Sequence, residues 1–459
     1  MKKKLKKVMA IGLAFMSVAQ LSSCGIKQAS TSDETITLML WTKPTQDATE
    51  YQLAFHDAQM EALKKKFPEV EFVEEILPAG TDYRQEYDKA LIANHAPAFV
   101  DIFSYTDIQT RIENGTIAKI TDYVENWELR KEGKILDIFD DNIRDKDGNW
   151  YAIPHRAYTQ ASLYNVALME SLGETKIPET WQEFAEMGQR VTDFSIPRVG
   201  YALMGMDWCA WPFCAWVWSA GGEMVRDNGD GTAKIAFNEE PGVDAAMFWN
   251  EMVWKYKMTQ KDTLMGTSDL DKLVLSNGAV CAFTTYNVLG GNTAKNLGVN
   301  PSDYRMMPIP SKNKEIPFVS LAGGEVVTFN PKLSERELEK AVEVAKYLYF
   351  SDDLMQIECD NIKEYKRTLI SIPGRVDWFE KRLDANALLT EDMKNALIEL
   401  RQCSKPEPAV KDYTLLKSEI AKYIQEILLT ENISREKCKE ILDEAAEAVY
   451  RKYKDSFHR

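Results

Sequence analysis

The 459-residue chain contains few of the side chains on which catalysis and metal binding usually depend. Its four histidines include no pair at the spacing of an H-E-x-x-H zinc helix, and its Gly-Gly pairs lack the further glycine or lysine of a phosphate-binding loop. No nucleophile with an adjacent base can be identified either. The sequence therefore predicts neither catalytic residues nor a metal ion or other cofactor.

Cysteine is also scarce, with seven residues in the whole chain. Beyond Cys24, only Cys209 and Cys214 lie close in sequence, which excludes a disulfide-stapled scaffold. A zinc site would require a second close cysteine pair or a spaced histidine pair, and the chain has neither. Two interpretations of Cys209 and Cys214 stay open, a disulfide bond or two buried free thiols.

Positive charge is in deficit, since 56 lysines and arginines face 71 aspartates and glutamates, for a net charge of −15. The first 23 residues hold five lysines and no acid, so the remainder has 51 cationic against 71 acidic residues, a net charge of −20. Nucleic-acid binding depends largely on cationic contacts to phosphate. The charge balance argues against DNA and RNA as partners.

The N-terminal segment has no apolar run long enough to span a bilayer. The basic sequence MKKKLKK is followed by 12 residues from Val8 to Ala19, whereas a spanning helix needs about 20. This pattern predicts a secretory signal peptide over residues 1–23. Leu21-Ser22-Ser23-Cys24 then resembles a bacterial lipobox, which implies a lipid on Cys24, a flexible tether over residues 24–35, and a location at the cell membrane facing the periplasm or exterior.

The first part of the mature chain alternates between strand and helix patterns. β-Branched and apolar runs alternate with residues at helical spacing, which predicts strands and helices over Thr35–Trp41, Tyr51–Phe67, Val70–Leu77, Tyr83–Ala93 and Phe99–Tyr105. Such alternation favours an α/β fold with parallel βαβ units. From about Ala385 onward the pattern predicts three amphipathic helices and no strand.

Two helix starts and one turn have clear local signatures. Thr180 with Glu183, and Ser334 with Glu337, have the spacing of a capping box and precede apolar residues at helical intervals. The segment Asp145 to Asn149 has a faint calcium-loop pattern but lacks the required glycine and glutamate, which favours a tight turn.

Aromatic residues are concentrated between Trp208 and Trp218, where 11 residues include four of the 11 tryptophans. Flat apolar rings beside polar groups suit a carbohydrate pocket, because sugars stack their C–H faces on rings and need hydrogen bonds for their hydroxyls. Clustered aromatic residues also form protein cores. We expect Trp208 or Trp211 to face a ligand and Trp216 or Trp218 to be packed in the core.

From about Ile36 to Tyr453, the chain resembles the extracellular solute-binding proteins of ABC importers, in the branch that includes maltose-binding protein. The resemblance is carried by segments in family order: Ala79–Tyr83, His95–Phe103, Gly148–Pro154, Leu163–Asn165, Ile177–Phe184, Trp218–Gly222, Ser276–Ala279, Pro308–Pro310, Gly323–Gly324 and Ser434–Tyr453. The chain departs from the family at Ala98, where aspartate is usual, and at Val280–Ala282.

The resemblance implies an α/β periplasmic-binding-protein fold of type II. Two α/β lobes would be joined by crossover segments, enclose a ligand cleft and end in a helical C-terminus. Lobe one would comprise residues 36–153 plus 311–358, and lobe two residues 154–310 plus 359–459. The protein would act as a monomer.

The resemblance also implies ligand contacts at the ends of strands and in the loops that face the cleft. On this chain they fall at Trp41, Lys43, Asp82, Tyr83, Tyr105, Asp107, Tyr158, Trp208, Trp211, Tyr286, Asn287, Gly323, Gly324 and Arg375. Asp82 has an alternative role as a helix N-cap, which its position before a helix favours.

The predicted function is capture of a carbohydrate, specifically an oligosaccharide, and its delivery to ABC permease subunits without catalysis. One alternative is the same receptor for a polyamine, a sugar phosphate or a peptide. Another is a surface glycan-active enzyme, which would need two carboxylates in the cleft about 5 to 10 Å apart. A third is a glycan-binding module that has no permease partner.

Overall fold

The computed structural model describes residues 35–230 and 232–457. The predicted signal peptide, the lipidation site Cys24 and the tether up to residue 34 lie outside the described residues. Among those residues, no helix combines the length and apolar composition needed to cross a bilayer.

The N-terminal part confirms the predicted alternation of strands and helices. It consists of β1 (Ile36–Leu40), α1 (Glu50–Lys66), β2 (Val70–Glu74), α2 (Tyr83–Ile92) and β3 (Phe99–Ser104). β1 and β2 are parallel and pair from Ile36 with Val70 to Leu40 with Glu74. β3 instead pairs antiparallel with a much later strand, so the parallel βαβ prediction holds only for the first two strands.

The middle of the chain is built around one long strand. Its elements are α3 (Ile108–Glu113), α4 (Thr121–Val124), α5 (Glu128–Lys131), β4 (Ile153–Asn165), α6 (Val166–Ser171), α7 (Trp181–Val191), β5 (Val199–Ala202), α8 (Ala210–Ser219), β6 (Val225–Asp227), β7 (Ala233–Ile235), α9 (Glu240–Trp254), α10 (Thr267–Leu275), β8 (Ala279–Thr284), α11 (Asn292–Leu297) and β9 (Tyr304–Met307). β6 and β7 form an antiparallel hairpin.

The C-terminal part begins with a second long strand and ends in helices. It contains β10 (Ser320–Phe329), α12 (Glu335–Phe350), α13 (Asp352–Glu364), β11 (Ile372–Pro373), α14 (Phe379–Ala385), α15 (Glu391–Gln402), β12 (Ser404–Pro406), α16 (Tyr413–Leu429) and α17 (Arg435–Tyr453).

β4 is the centre of an eight-stranded sheet. The sheet has the order β12-β10-β4-β8-β5, with β9 and β11 also pairing with β4 and β3 with β10. The first half of β4 pairs antiparallel with β10 and the second half pairs antiparallel with β8 and β9. The 13-residue strand therefore joins two groups of strands that have no other long pairing in common.

The three C-terminal helices are confirmed as α15, α16 and α17, but the prediction of no strand among them was wrong. Ser404–Pro406 forms β12, parallel to β10 with Ser320 opposite Ser404. Three residues are too few to show an alternating pattern in sequence. The strand forms because β10 presents unpaired backbone groups at that edge.

The local signatures are confirmed. Thr180 and Ser334 each accept a hydrogen bond from the backbone three residues on, and Glu183 and Glu337 complete both capping boxes. Asp145 closes a tight turn, because its Oδ1 accepts from the backbone nitrogens of Asp147 and Asn149.

Ile36–Arg459 forms one compact unit that contains two large hydrophobic clusters. The first cluster includes Leu38, Phe103 and Val344, and the second includes Trp216 and Ile424. β4 contributes to both, with Ile153, Ala157, Ala161 and Leu163 in the first and Tyr164 in the second. Cys209 and Cys214 are buried free thiols in the second cluster, so the disulfide alternative is not realised.

Candidate functional site

A cavity of about 510 Å³ brings together seven of the fourteen predicted ligand contacts. We call it the tryptophan cavity. The seven residues are Tyr105, Tyr158, Trp208, Trp211, Asn287, Gly323 and Gly324. They come from the end of β3, from β4, from the turn before α8 and its first turn, from the segment after β8 and from β10.

Paired strands β4 and β10 form one wall of the tryptophan cavity. Tyr158 lies opposite Gly323 in the ladder, and a β-carbon on residue 323 would approach a Tyr158 ring carbon to 2.2 Å. Only glycine leaves room for the ring in this position. Burial raises the pKa of Tyr158 to about 12, so its hydroxyl stays protonated and available as a donor near neutral pH.

Tyr105 forms a buried part of the wall. Its hydroxyl donates to the carbonyl oxygen of Ala322 at 2.9 Å and accepts from the backbone nitrogen of Glu407 at 3.0 Å. Its ring stacks on Phe139 with centroids 4.1 Å apart. Because both hydroxyl functions are used, Tyr105 fixes the position of the two backbone segments around it.

The tryptophan cluster divides into two surface rings and two core rings. Trp208 is 38% exposed, and its ring centroid lies 5.6 Å from that of Trp211 at an interplanar angle of 43°. Trp216 is fully buried and Trp218 is 5% exposed. Trp216 contacts four aromatic rings, those of Trp181, Phe184, Tyr201 and Phe248. The prediction that Trp216 or Trp218 would be packed in the core is confirmed.

Polar side chains that sequence reasoning did not identify complete the tryptophan cavity. They are Arg84, Ser104, Thr106, Gln160, Thr285, Glu325, Glu407, Thr414, Lys417 and Ser418. Gln160 follows Tyr158 by two residues on β4, so strand periodicity contained a signal for it. The residues from Glu407 onward come from the C-terminal segment, and no local pattern links them to the cavity.

The two carboxylates of the cavity wall are both held by cations. Glu325 accepts from Arg156 Nε at 2.8 Å. Glu407 is nearly fully buried and its Oε2 accepts from Lys417 Nζ at 2.9 Å. Burial raises the pKa of Glu407, and the nearby Lys417 opposes that effect.

The other seven predicted contacts do not line the tryptophan cavity, and three of them have structural roles. Asp82 caps α2 by accepting from the backbone nitrogens of Arg84 and Gln85. Tyr286 is fully buried, and its hydroxyl oxygen accepts from the backbone nitrogen of Met306 at 2.7 Å. Arg375 is also buried, as described next. The resemblance to the family gives the place of these residues along the chain, and that place alone does not distinguish a core or capping role from a ligand contact.

Arg375 is held by a set of intramolecular partners. It donates to the carbonyl oxygen of Phe350 at 2.6 Å and forms ion pairs with Asp352 and Asp377 at 2.9 and 2.8 Å. Its side chain is 5% exposed. The guanidinium therefore ties the segment before α14 to the junction of α12 and α13.

The remaining four residues lie near the cavity or apart from it. Asp107 accepts from Thr414 Oγ1 at 3.1 Å and lines an adjacent depression. Lys43 is exposed and Tyr83 is half-buried at the first position of α2. Trp41 donates from Nε1 to Glu75 Oε2 at 3.0 Å and lines a second cavity.

This second cavity, of about 290 Å³, contains three arginines, and we call it the arginine cavity. Its charged and polar lining includes Asp101, His155, Arg156, Glu358, Arg367 and Arg382. Arg156 belongs to the arginine cavity and its partner Glu325 to the tryptophan cavity. Their ion pair therefore stands between the two spaces.

No group of three or more histidine, cysteine, aspartate or glutamate side chains within residues 35–230 and 232–457 is arranged to hold a metal ion. The arrangement of the tryptophan cavity instead suits reversible binding of an uncharged polar molecule. It combines two accessible aromatic rings with hydroxyl, amide and ion-paired side chains.

Residues 46–353 match the family model of the bacterial extracellular solute-binding proteins. The chain belongs to this family. The family assignment confirms the resemblance inferred from the ordered sequence segments. Members of this family are binding proteins.

Solved structures with the same fold include several sugar receptors. The GacH receptor of Streptomyces glaucescens, determined unliganded and with acarbose, is 18% identical with a TM-score of 0.68, and the match covers 92% of this chain and 99% of that one. Maltose-bound MalE3 of T. maritima is 19% identical with a TM-score of 0.66, covering 90% and 99%. The cyclic alpha-maltosyl-1,6-maltose binding protein of Arthrobacter globiformis is 16% identical with a TM-score of 0.69, covering 91% and 99%. The predicted α/β periplasmic-binding fold is confirmed.

Proposed function

We propose that this solute-binding protein captures a carbohydrate, specifically an oligosaccharide, in the tryptophan cavity. The observation that carries the proposal is the pair Trp208 and Trp211, whose rings face a cavity with polar side chains on its other walls. Aromatic faces bind the apolar faces of sugar rings, and the surrounding donors and acceptors match the hydroxyl groups.

The size of the cavity supports a ligand of this class. About 510 Å³ lies within the usual range for small-molecule sites, roughly 300 to 1,000 Å³. The structurally similar receptors bind acarbose, maltose and a cyclic maltosyl-maltose. These three ligands are oligosaccharides, and two further solute-binding proteins of the same fold were determined with alpha-D-tagatose and with ribitol, so the likeness supports a carbohydrate or a related polyol.

The proposal includes closure of two lobes around the ligand. The lobes would be residues 36–153 plus 311–358 and residues 154–310 plus 359–459. The pairing of β4, whose first half pairs with β10 and whose second half pairs with β8 and β9, supports this division. Such clefts commonly close by a hinge, in which a few loop or element-terminal residues absorb the change in backbone angles.

We further propose that the bound sugar is released chemically unchanged to ABC permease subunits. The two cavity carboxylates, Glu325 and Glu407, are engaged by Arg156 and Lys417, which fits positioning of the wall more than acid–base catalysis. The leader pattern supports lipid attachment at Cys24, which would hold the receptor at the membrane as a monomer.

A thermal-shift screen followed by titration calorimetry tests the proposal. Purified protein is screened against maltotriose and other neutral oligosaccharides, a polyamine, a sugar phosphate and a short peptide. A ligand at 100 times its dissociation constant stabilises the fold by about 2.7 kcal/mol. We expect an oligosaccharide to bind and to be recovered intact. Binding confined to the polyamine, phosphate or peptide would contradict the carbohydrate assignment, and consumption of the sugar would indicate an enzyme.

A further inference from the structure

The arginine cavity gathers guanidinium groups from three separate segments of the chain. Arg156 lies on β4, Arg367 lies between α13 and β11, and Arg382 lies on α14, yet all three line one space of about 290 Å³. Arginine is the side chain best suited to recognise a carboxylate, because its planar fork of donors matches the two oxygens.

Arg382, which lines this cavity, has one donor without a hydrogen-bond acceptor in the described part of the chain. Arg382 is 5% exposed. Its Nη1 donates to the carbonyl oxygen of Ser371 at 3.0 Å, and its Nη2 donates to Glu358 at 2.9 Å. Its Nε is buried and has no hydrogen-bond acceptor among the described residues. A buried donor without an acceptor is costly, so a ligand oxygen in the cavity would be favoured.

Arg367 is held by neutral groups. Its Nη1 donates to the amide oxygen of Asn361 at 2.6 Å, and its guanidinium lies 4.4 Å from the centroid of the Tyr51 ring. Burial lowers the pKa of Arg367, although an arginine stays charged at physiological pH. The surroundings thus orient the charge without placing a hydrogen-bonded carboxylate on it.

The two carboxylates that line the arginine cavity, Asp101 and Glu358, each have a partner in the same cavity. Asp101 lies 3.1 Å from His155 Nδ1, and Glu358 pairs with Arg382. Arg156 pairs with Glu325. Arg367 is therefore the arginine of this cavity that has no ion-pair partner among the described residues, while Arg382 is paired with Glu358 and keeps only its Nε without an acceptor.

Three aromatic residues, Trp41, Phe55 and Tyr349, line the same space. The hydrogen bond from Trp41 Nε1 to Glu75 fixes the indole ring. An aromatic face beside paired cationic donors suits a molecule that has both a sugar ring and an acidic group.

We propose that the arginine cavity binds the carboxylate of a sugar acid, such as a hexuronate, with Arg367 and Arg382 as its ligands. The site goes beyond the proposed function, because it concerns a separate cavity and an anionic ligand. Its chemistry is shared with simple inorganic oxyanions, and the experiment below distinguishes the two.

Titration calorimetry with D-glucuronate, D-glucose and sulfate tests this site in the wild type and in Arg367→Gln. The matched control is Arg401→Gln, since Arg401 also lies over an aromatic ring, that of Phe379, but outside both cavities. We expect D-glucuronate to bind the wild type and the control equally, and to bind Arg367→Gln roughly tenfold more weakly. D-Glucose should not displace it.

Arg382→Lys serves as the second variant. It keeps the positive charge but replaces the planar guanidinium, including its Nε donor, with a single ammonium group. It should also weaken D-glucuronate binding roughly tenfold. Trp208→Ala should leave D-glucuronate binding unchanged, and loss of maltotriose binding in that variant reports separately on the tryptophan cavity.

Four outcomes would overturn the site. They are no binding of D-glucuronate, equal affinity in Arg367→Gln and wild type, displacement by D-glucose, and loss of D-glucuronate binding in Trp208→Ala alone. Sulfate binding as tightly as D-glucuronate would make the cavity an inorganic-anion site and would also overturn the sugar-acid assignment.

Discussion

The ring of Tyr158 lies over the Cα of Gly323, so closely that a β-carbon on residue 323 would come within 2.2 Å of the ring. The two residues face each other across β4 and β10. Because Gly323 has no side chain, the Tyr158 ring can occupy this position and form the aromatic wall of the cavity.

Gly323→Ala should weaken binding to the tryptophan cavity. The added methyl group would displace the Tyr158 ring into the space used by the ligand, and we expect a loss of about tenfold in affinity, or about 1.4 kcal/mol. Calorimetry with the oligosaccharide found in the screen measures it. Gly266→Ala is the control, because a β-carbon there meets no atom within 4 Å. Equal affinities in both variants would show that the position of Tyr158 does not matter.

Trp208→Ala should affect ligand affinity, whereas Trp216→Ala should affect stability. Trp208 is partly exposed at the cavity, so its loss should reduce oligosaccharide affinity with little change in melting temperature. Trp216 is fully buried among four rings, so its loss should lower the free energy of unfolding by about 3 to 5 kcal/mol. Trp211→Ala should behave like Trp208→Ala. Similar destabilisation by all three variants, with affinity unchanged, would place the whole cluster in the core.

Arg375→Gln should destabilise the fold without changing affinity per folded molecule. The substitution removes the ion pairs with Asp352 and Asp377 and the hydrogen bond to Phe350. Because both carboxylates are partly solvated, we expect a loss of about 2 to 4 kcal/mol in the free energy of unfolding. Denaturant unfolding with calorimetry separates the two effects. If the variant were as stable as the wild type but bound the ligand more weakly, Arg375 would be a ligand contact and this prediction would be wrong.

The same ion pair predicts a pH dependence. Burial raises the pKa of Asp377, but hydrogen bonding and the charge of Arg375 outweigh it, so the pKa lies below its usual value of 3.8. A carboxyl group whose pKa is lower in the folded state stabilises the fold above about pH 4, and that stabilisation is lost as the pH falls further. Between pH 5 and pH 3 the free energy of unfolding should therefore fall more steeply in the wild type than in Arg375→Gln. Parallel pH profiles would contradict this.

Asp82→Ala should lower the free energy of unfolding by about 1 kcal/mol, because it removes the N-cap of α2. Asp82→Asn retains a capping oxygen and should be close to the wild type. Thermal unfolding measures both variants. A larger effect on oligosaccharide affinity than on stability would identify Asp82 as a ligand contact after all.

Local hydrogen bonding explains what could be predicted well. The starts of α7 and α12 follow from Thr180 with Glu183 and from Ser334 with Glu337, since a capping box joins residues only three apart. Trp208 precedes α8 and is partly exposed, whereas Trp216 lies within α8 and is buried; aromatic residues are usually buried, which favours a core role for part of such a cluster. Of the seven predicted contacts that line the tryptophan cavity, Tyr105 and Asn287 follow strand ends, where α/β folds place their ligands. The other five were predicted from the family resemblance.

The sequence by itself determined the family, the α/β class and the aromatic character of the cavity, because ordered motifs, periodicity and composition are local properties of the chain. Only the tertiary structure decided which polar groups complete the walls. The backbone nitrogen of Glu407 bonds to Tyr105, 302 residues earlier, and β12 forms only because β10 has a free edge. It also decided that Arg375 is buried while Arg367 and Arg382 share a cavity, since burial and pairing depend on elements that meet only in the folded chain.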